Sequence, residues 1–171
     1  MSAGALRDRA RQPVENGAVT ERHGADRDTL IQLLNDALAT ELVCHLNYKR
    51  HYHMATGLRS STAADKFIEL AHTSEQHADR LAERIVQLGG EPDFNPDNLT
   101  ERAHTQYAEG NGLRDMVFEN LVAERIAIDS YREIVQYIGD QEPATRRIFE
   151  NILARKEQHA DELASLLDGM N

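Results

Sequence analysis

The chain is 171 residues long, 40% hydrophobic and 28% charged, with a formal net charge of −10. It holds no Trp, four Pro and ten Gly, a balance that fits one domain with a real core and disfavours a β-sandwich or a low-complexity chain. A single cysteine, Cys44, excludes an internal disulfide framework and a Cys-rich zinc site, no apolar run approaches the ~20 residues of a membrane span, and the acidic total argues against nucleic-acid binding, which needs a basic footprint.

Residues 1–27 are polar and lack periodicity. Arg7, Arg9, Arg11, Arg22 and Arg27 stand against Asp8, Glu15, Glu21 and Asp26, so the stretch is nearly neutral. It reads as an N-terminal extension with at most one short helix, around Ala3–Arg11, ahead of a helical domain over residues 28–171. The opening MSAGALRDRARQPVENG has no apolar core of the kind a secretory signal needs, so a reducing, cytoplasmic location is expected.

Four long helical stretches follow. The first runs from about residue 28 to 57, with an apolar stripe of Leu30, Leu34, Ala37, Leu38, Tyr48 and Tyr52 at the 3–4 spacing of one buried face. The second starts after Ser60–Ser61, good N-cap residues, and stops at Gly89–Gly90; its stripe is Phe67, Ala71, Ala78, Leu81, Ile85 and Leu88. The third runs from about 113 to 138 and ends at Gly139, with Val117, Leu121, Ile128, Tyr131 and Val135. The fourth opens at Glu142–Pro143, with proline in the first turn, and runs to about 168 on Ile148, Ile152, Ala160, Leu163 and Leu166.

Short turns join the first helix to the second and the third to the fourth, so each pair predicts an antiparallel hairpin. The stretch between the hairpins, GEPDFNPDNLTERAHTQYAEGNG, is long enough to cross the bundle. Two hairpins and one long crossover make an all-α, antiparallel four-helix bundle with ferritin-like connection. The hairpins also echo each other. Ala-Thr-Glu41 precedes Tyr48 by seven residues, and Val-Ala-Glu124 precedes Tyr131 by seven; Glu-Gln-His77-Ala-Asp recurs as Glu-Gln-His159-Ala-Asp. The repeat predicts a pseudo-twofold axis.

What interrupts the stripes carries the chemistry. Glu41, His45 and Tyr48 interrupt the first helix, Ser74 and His77 the second, Glu124 the third, Lys156 and His159 the fourth. All four helices thus aim polar groups inward at mid-bundle. A buried carboxylate costs several kcal/mol unless it is paired or bound to metal. Two carboxylates and two imidazoles at one depth call for a shared partner, and a metal ion is the economical one.

With these residues the chain resembles the bacterioferritins and the related miniferritins called Dps, over about residues 28–168. Members of that group take a Glu from the first and third helices and a Glu-x-x-His pair from the second and fourth to hold two irons. The resemblance implies Glu41, Glu124, His77 and His159 as metal ligands and Tyr48 as the tyrosine beside the iron site. The stretch Leu-Ala-Glu-Arg-Ile-Val-Gln-Leu-Gly-Gly over residues 81–90 matches the end of the second helix in both relatives.

Three departures stand out. The positions three before His77 and His159 are Ser74 and Lys156, where the resemblance calls for the two bridging glutamates. Glu75 and Glu157 lie two residues before the histidines, about 200° round the helix, and do not replace them. The haem-ligating Met of bacterioferritins falls at Glu75, so no haem is expected, and the fifth helix of the larger cages has no counterpart. Charge counting agrees. Glu41 and Glu124 supply −2 and a charged Lys156 returns +1, which compensates a +4 di-iron(II) centre poorly. Lys156 either occupies the metal position as an ammonium between the two glutamates, or swings away or loses its proton and leaves one divalent ion on Glu41, Glu124, His77 and His159, a donor set that suits Fe, Zn or Mn.

A weaker resemblance touches the iron site that Dps proteins form between subunits: Asp79 and Glu83 have its Asp-x-x-x-Glu spacing and His51 matches one of its histidines. His45, one turn from Glu41, reads as a supporting partner or a spare ligand. His51, His53, His72 and His104 read as surface or interface residues, and Cys44 and Tyr131 as core.

Two functions stay open. The first is iron storage: subunits assemble into a hollow shell, by resemblance of twelve copies, and Fe(II) is taken up, oxidised and kept as a ferric mineral, here with an altered ferroxidase centre holding one iron or none. The acidic charge would draw Fe(II) inward. The alternative is a metal-free paralogue in which Lys156 replaces the metal and the chain is a structural or partner-binding subunit, co-assembling with an active relative. Dps-like DNA protection through the arginines of the extension is a third, weaker expectation.

Overall fold

The computed structural model describes residues 2–11, 13–20 and 23–170; Glu21 and Arg22, part of the charge count of the extension, lie outside them. Six α-helices follow one another: α1 (Ala3–Ala10), α2 (Arg27–Gly57), α3 (Ser61–Gln87), α4 (Leu99–Arg102), α5 (Leu113–Ile138) and α6 (Pro143–Asp168). The four long stretches of the sequence are α2, α3, α5 and α6. Helix α2 packs along α3 and α5 along α6, and the crossover between the hairpins, carrying α4, lies against α2. No helix among the described residues is long and apolar enough to cross a membrane.

Local chemistry sets the ends. Gly139 terminates α5 with φ +52°, a left-handed conformation that suits glycine. Glu142 then caps α6: its carboxylate accepts the Thr145 backbone N–H at 2.8 Å and pairs with Arg84 of α3 at 3.1 Å. The extension docks at the same end, where Val19 and Ala25 pack against the core. Gly24 passes so close to Gln141 that a Cβ there would lie 2.6 Å from its carbonyl oxygen, so only glycine fits.

The core is divided into two. Leu30, Leu34, Leu38, Leu81, Ile85, Ile134, Ile138 and Phe149 form one apolar cluster around the α5–α6 turn. Cys44, Tyr48, Ala55, Phe67, Leu70, Met116, Val117 and Leu163 form the other, at the opposite end. Between them lies a layer of buried polar residues.

The predicted stripes of α2 and α3 match this core closely. Those of α5 and α6 need correction: Leu121, Ile128, Val135, Ile148, Ala160 and Leu166 are only partly buried. The inward face of α5 is built instead from Val117, Ala123, Glu124, Ala127, Tyr131 and Ile134. Small and polar residues hold positions that a reading weighted towards large aliphatic side chains gives to Leu121 and Ile128.

Candidate metal centre

Each helix of the bundle delivers its residues to the dividing layer by simple 3–4 spacing. Helix α2 supplies Glu41 and, two turns on, Tyr48; α5 supplies Glu124 and Tyr131 in the same relation. Helix α3 supplies Ser74 and His77, and α6 supplies Lys156 and His159. Glu41 and Glu124 are fully buried, and Ser74, Lys156 and His159 are each about 1% exposed.

The pseudo-twofold of the sequence is visible in the hydrogen bonds. The Tyr48 hydroxyl donates to Glu124 Oε1 at 2.8 Å, and the Tyr131 hydroxyl donates to Glu41 Oε1 at 2.9 Å. Each hairpin thus lends its tyrosine to the other hairpin's carboxylate. The histidines keep the symmetry but stay within their own hairpins: His77 Nδ1 lies 3.7 Å from Glu41 Oε2 and His159 Nδ1 lies 3.6 Å from Glu124 Oε1, close but beyond hydrogen-bond length.

One pair of positions breaks the symmetry. Ser74 and Lys156 are equivalents in the repeat, and only Lys156 is charged. Its Nζ donates to Glu41 Oε2 at 3.1 Å and lies 3.7 Å from Glu124 Oε2. One ammonium therefore spans both carboxylates.

The protonation states follow from this placement. Burial alone would raise the Glu41 carboxyl, but Lys156 and His77 beside it hold it down at about 2. Burial disfavours the Lys156 ammonium, and the charges of Glu124 and Glu41 more than compensate, so its pKa rises above the ordinary lysine range. Burial, reinforced by the nearby negative groups, pushes Tyr48 and Tyr131 well above their ordinary range, so both hydroxyls keep the protons they donate. Burial likewise lifts the Cys44 thiol to about 11, which leaves it neutral and unreactive.

Among the described residues no three His, Cys, Asp or Glu side chains stand together as a set that could hold a metal ion. The donor chemistry explains this. Two carboxylates already share a fixed ammonium, and Ser74 brings a hydroxyl where a second bridging acid would be needed.

The other histidines sort differently. His45 Nδ1 lies 2.7 Å from the Ala71 carbonyl, which only accepts, so that nitrogen carries the proton and ties α2 to α3. His53 and His72 are exposed and His104 is half-buried. His51, read as a surface or interface residue, is fully buried. Its Nε2 lies 2.9 Å from the carbonyls of both Ala108 and Glu109, and its Nδ1 lies 2.7 Å from the side-chain amide of Asn120. Asn47 adds a bond from the Ala108 N–H at 3.0 Å. His51 is thus a clamp that pins the crossover to α2 and α5. The crossover covers this face of α2, and local sequence periodicity carries no trace of that cover. Asp79 and Glu83 are exposed on α3.

A model of the ferritin-like domain matches residues 31–171. The chain belongs to the ferritin-like domain family. Across 92% of its length it is 30% identical to the DNA protection during starvation protein of Pyrococcus furiosus, covering 86% of that protein. It is also 30% identical to the bacterioferritin of Brucella melitensis, over 81% of this chain and 83% of that one. Among solved structures, the bacterioferritin-related protein of Bacteroides fragilis, a dodecameric thioferritin, superposes with a TM-score of 0.81 at 28% identity, over 86% of this chain and 89% of that one. The ferritin-like bundle expected from the sequence is therefore the fold of this chain.

Proposed function

We propose that this chain is a shell-forming subunit of an iron-storage protein, and that its central layer is an ion-pair layer in which the Lys156 ammonium stands where bridging carboxylates and metal ions would stand in a ferroxidase centre. The observation that carries the reading is the buried Lys156 Nζ, 3.1 Å from Glu41 and 3.7 Å from Glu124. With Lys156 charged, the layer's net charge is near −1 and the pull on Fe(II) is weak. The chain then contributes shell and storage volume. Fast oxidation comes from a co-assembled paralogue that keeps both acids. Tyr48 serves here by orienting Glu124, and Tyr131 by orienting Glu41. The relatives' names support iron storage, and the Bacteroides fragilis relative supports a shell of twelve copies.

Glu41, Glu124, His77 and His159 remain the side chains that would hold a single divalent ion once Lys156 is removed. Elemental analysis of the purified chain, together with ferric absorbance after Fe(II) addition, tests the reading. The wild-type chain is expected to carry no metal at this layer and to oxidise Fe(II) slowly. Ser74→Glu with Lys156→Glu is expected to gain bound iron and at least tenfold faster oxidation. Stoichiometric metal on the wild-type chain that disappears in Glu41→Gln would sink the proposal.

A further inference from the structure

Residues of α5 and α6 line an open groove of about 800 Å³. Its apolar lining includes Leu121, Ile128, Ala154, Ala160 and Ala164. Leu121, Ile128 and Ala160 are positions that helical periodicity assigns to a buried face, and the single chain leaves them partly open. Acidic residues dominate the α6 side: Glu157 and Asp161 border the groove, and a shallower continuation runs past Asp161 and Glu162 to Asp168. The α5 wall carries Arg125, Asp129 and Arg132. Arg132 is engaged by Glu157 at 3.0 Å and by Asp129 at 3.5 Å, and Glu162 is engaged by Lys66 of α3, so Asp161 and Asp168 are the acids of α6 that face outward here.

The matching element is at the other end of the chain. Helix α1 buries none of its residues. Ala3, Leu6 and Ala10 fall on one face at i, i+3 and i+7, and Leu6 is 48% exposed. Arg7 and Arg11 flank that face, and Asp8 lies on the opposite side. A helix of this length is about 12 Å long. The chain between Ala10 and Val19, where the extension packs on the bundle, holds a 3-10 turn at Val14–Asn16 and can span at most about 25 Å, enough to carry α1 off its own bundle.

We propose that α1 of one chain docks in the α5–α6 groove of a second copy of this chain, with Leu6 over the alanine floor and Arg7 and Arg11 against the acids of α6. The contact joins a basic, small-footed helix to an acidic, small-floored groove. It makes the extension an inter-subunit strap and completes an apolar surface that one chain leaves uncovered.

Site-directed cross-linking of the full-length chain tests this. Cys44 is buried, so new cysteines report alone. Chains carrying Leu6→Cys and chains carrying Ala164→Cys are co-expressed and oxidised, beside a control pair of Leu6→Cys and Gln76→Cys, the latter exposed on α3. The expected result is a Leu6–Ala164 linked dimer at least five times more abundant than the control dimer. Its yield falls several-fold with Asp161→Lys and recovers when Arg7→Glu is added. Three results would overturn the proposal. One is a yield no higher than the control. Another is a cross-link within one chain when both cysteines are on it. The third is salt-sensitive retention of duplex DNA that requires residues 2–18 while the dimer stays at control level.

Discussion

Lys156 compensates two buried acids at once, so removing it exposes how much the layer depends on it. Lys156→Met keeps most of the side-chain volume and leaves Glu41 and Glu124 buried without their cation, a change expected to cost about 3–5 kcal/mol. Urea unfolding measures the loss. Added Mn(II) or Zn(II) should restore part of it in Lys156→Met and not in the wild-type chain, because a ligand that binds only the folded state stabilises it by mass action. Acid acts on the same layer from the other side. The Glu41 carboxyl is held near 2, below its ordinary 4.5. Its contribution is therefore complete above about pH 4.5 and is lost as the pH falls through about 2. Wild-type urea midpoints should drop more between pH 5 and pH 3 than those of Glu41→Gln.

At the scale of elements, α6 begins where three hydrogen bonds meet. Glu142 accepts from the Thr145 N–H and from Arg84, and Arg84 Nε donates to the Thr145 hydroxyl at 3.0 Å. Glu142→Ala removes the cap and half of a shielded ion pair, for an expected cost of about 1–2 kcal/mol. Hydrogen exchange should quicken first at residues 144–148. The Glu-Pro start of α6 was legible in the sequence, as were all four long helices, the crossover and the Glu41/Glu124 repeat, because each is a local signal of spacing or of turn chemistry. Arg84 was not, since its partners lie far along the chain and only the hairpin packing brings them together. His51 was misread for the same reason. An amphipathic pattern reports which side of a helix is apolar, whereas His51 is buried by a loop of backbone carbonyls. Lys156 was legible as a departure from a motif and as an ammonium between the two glutamates, and the structure adds the distances, 3.1 Å to Glu41 and 3.7 Å to Glu124.

Seen as a whole, the molecule has two apolar clusters held apart by one charged layer, and an apolar layer of the same volume is expected to be at least as stable. Burying two carboxylates and an ammonium costs several kcal/mol per ion before their mutual attraction is counted, and replacing such a group with apolar residues of similar volume is often neutral or stabilising by about 1–4 kcal/mol. A chain carrying Glu41→Met, Glu124→Met and Lys156→Met, with Tyr48→Phe and Tyr131→Phe so that no hydroxyl loses its acceptor, would join the two clusters into one. Circular dichroism should show unchanged helix content, and urea unfolding should show a midpoint at or above that of the wild-type chain, whereas Lys156→Met alone falls far below it. That opposite response of the single and the fivefold variants separates a layer kept for stability from one kept for something else. If the fivefold variant unfolds earlier than Lys156→Met, the ion pairs are themselves what holds the bundle together. If it is the more stable, the acids, histidines and lysine persist at a cost to the fold, and their retention points to the chemistry or assembly of the shell.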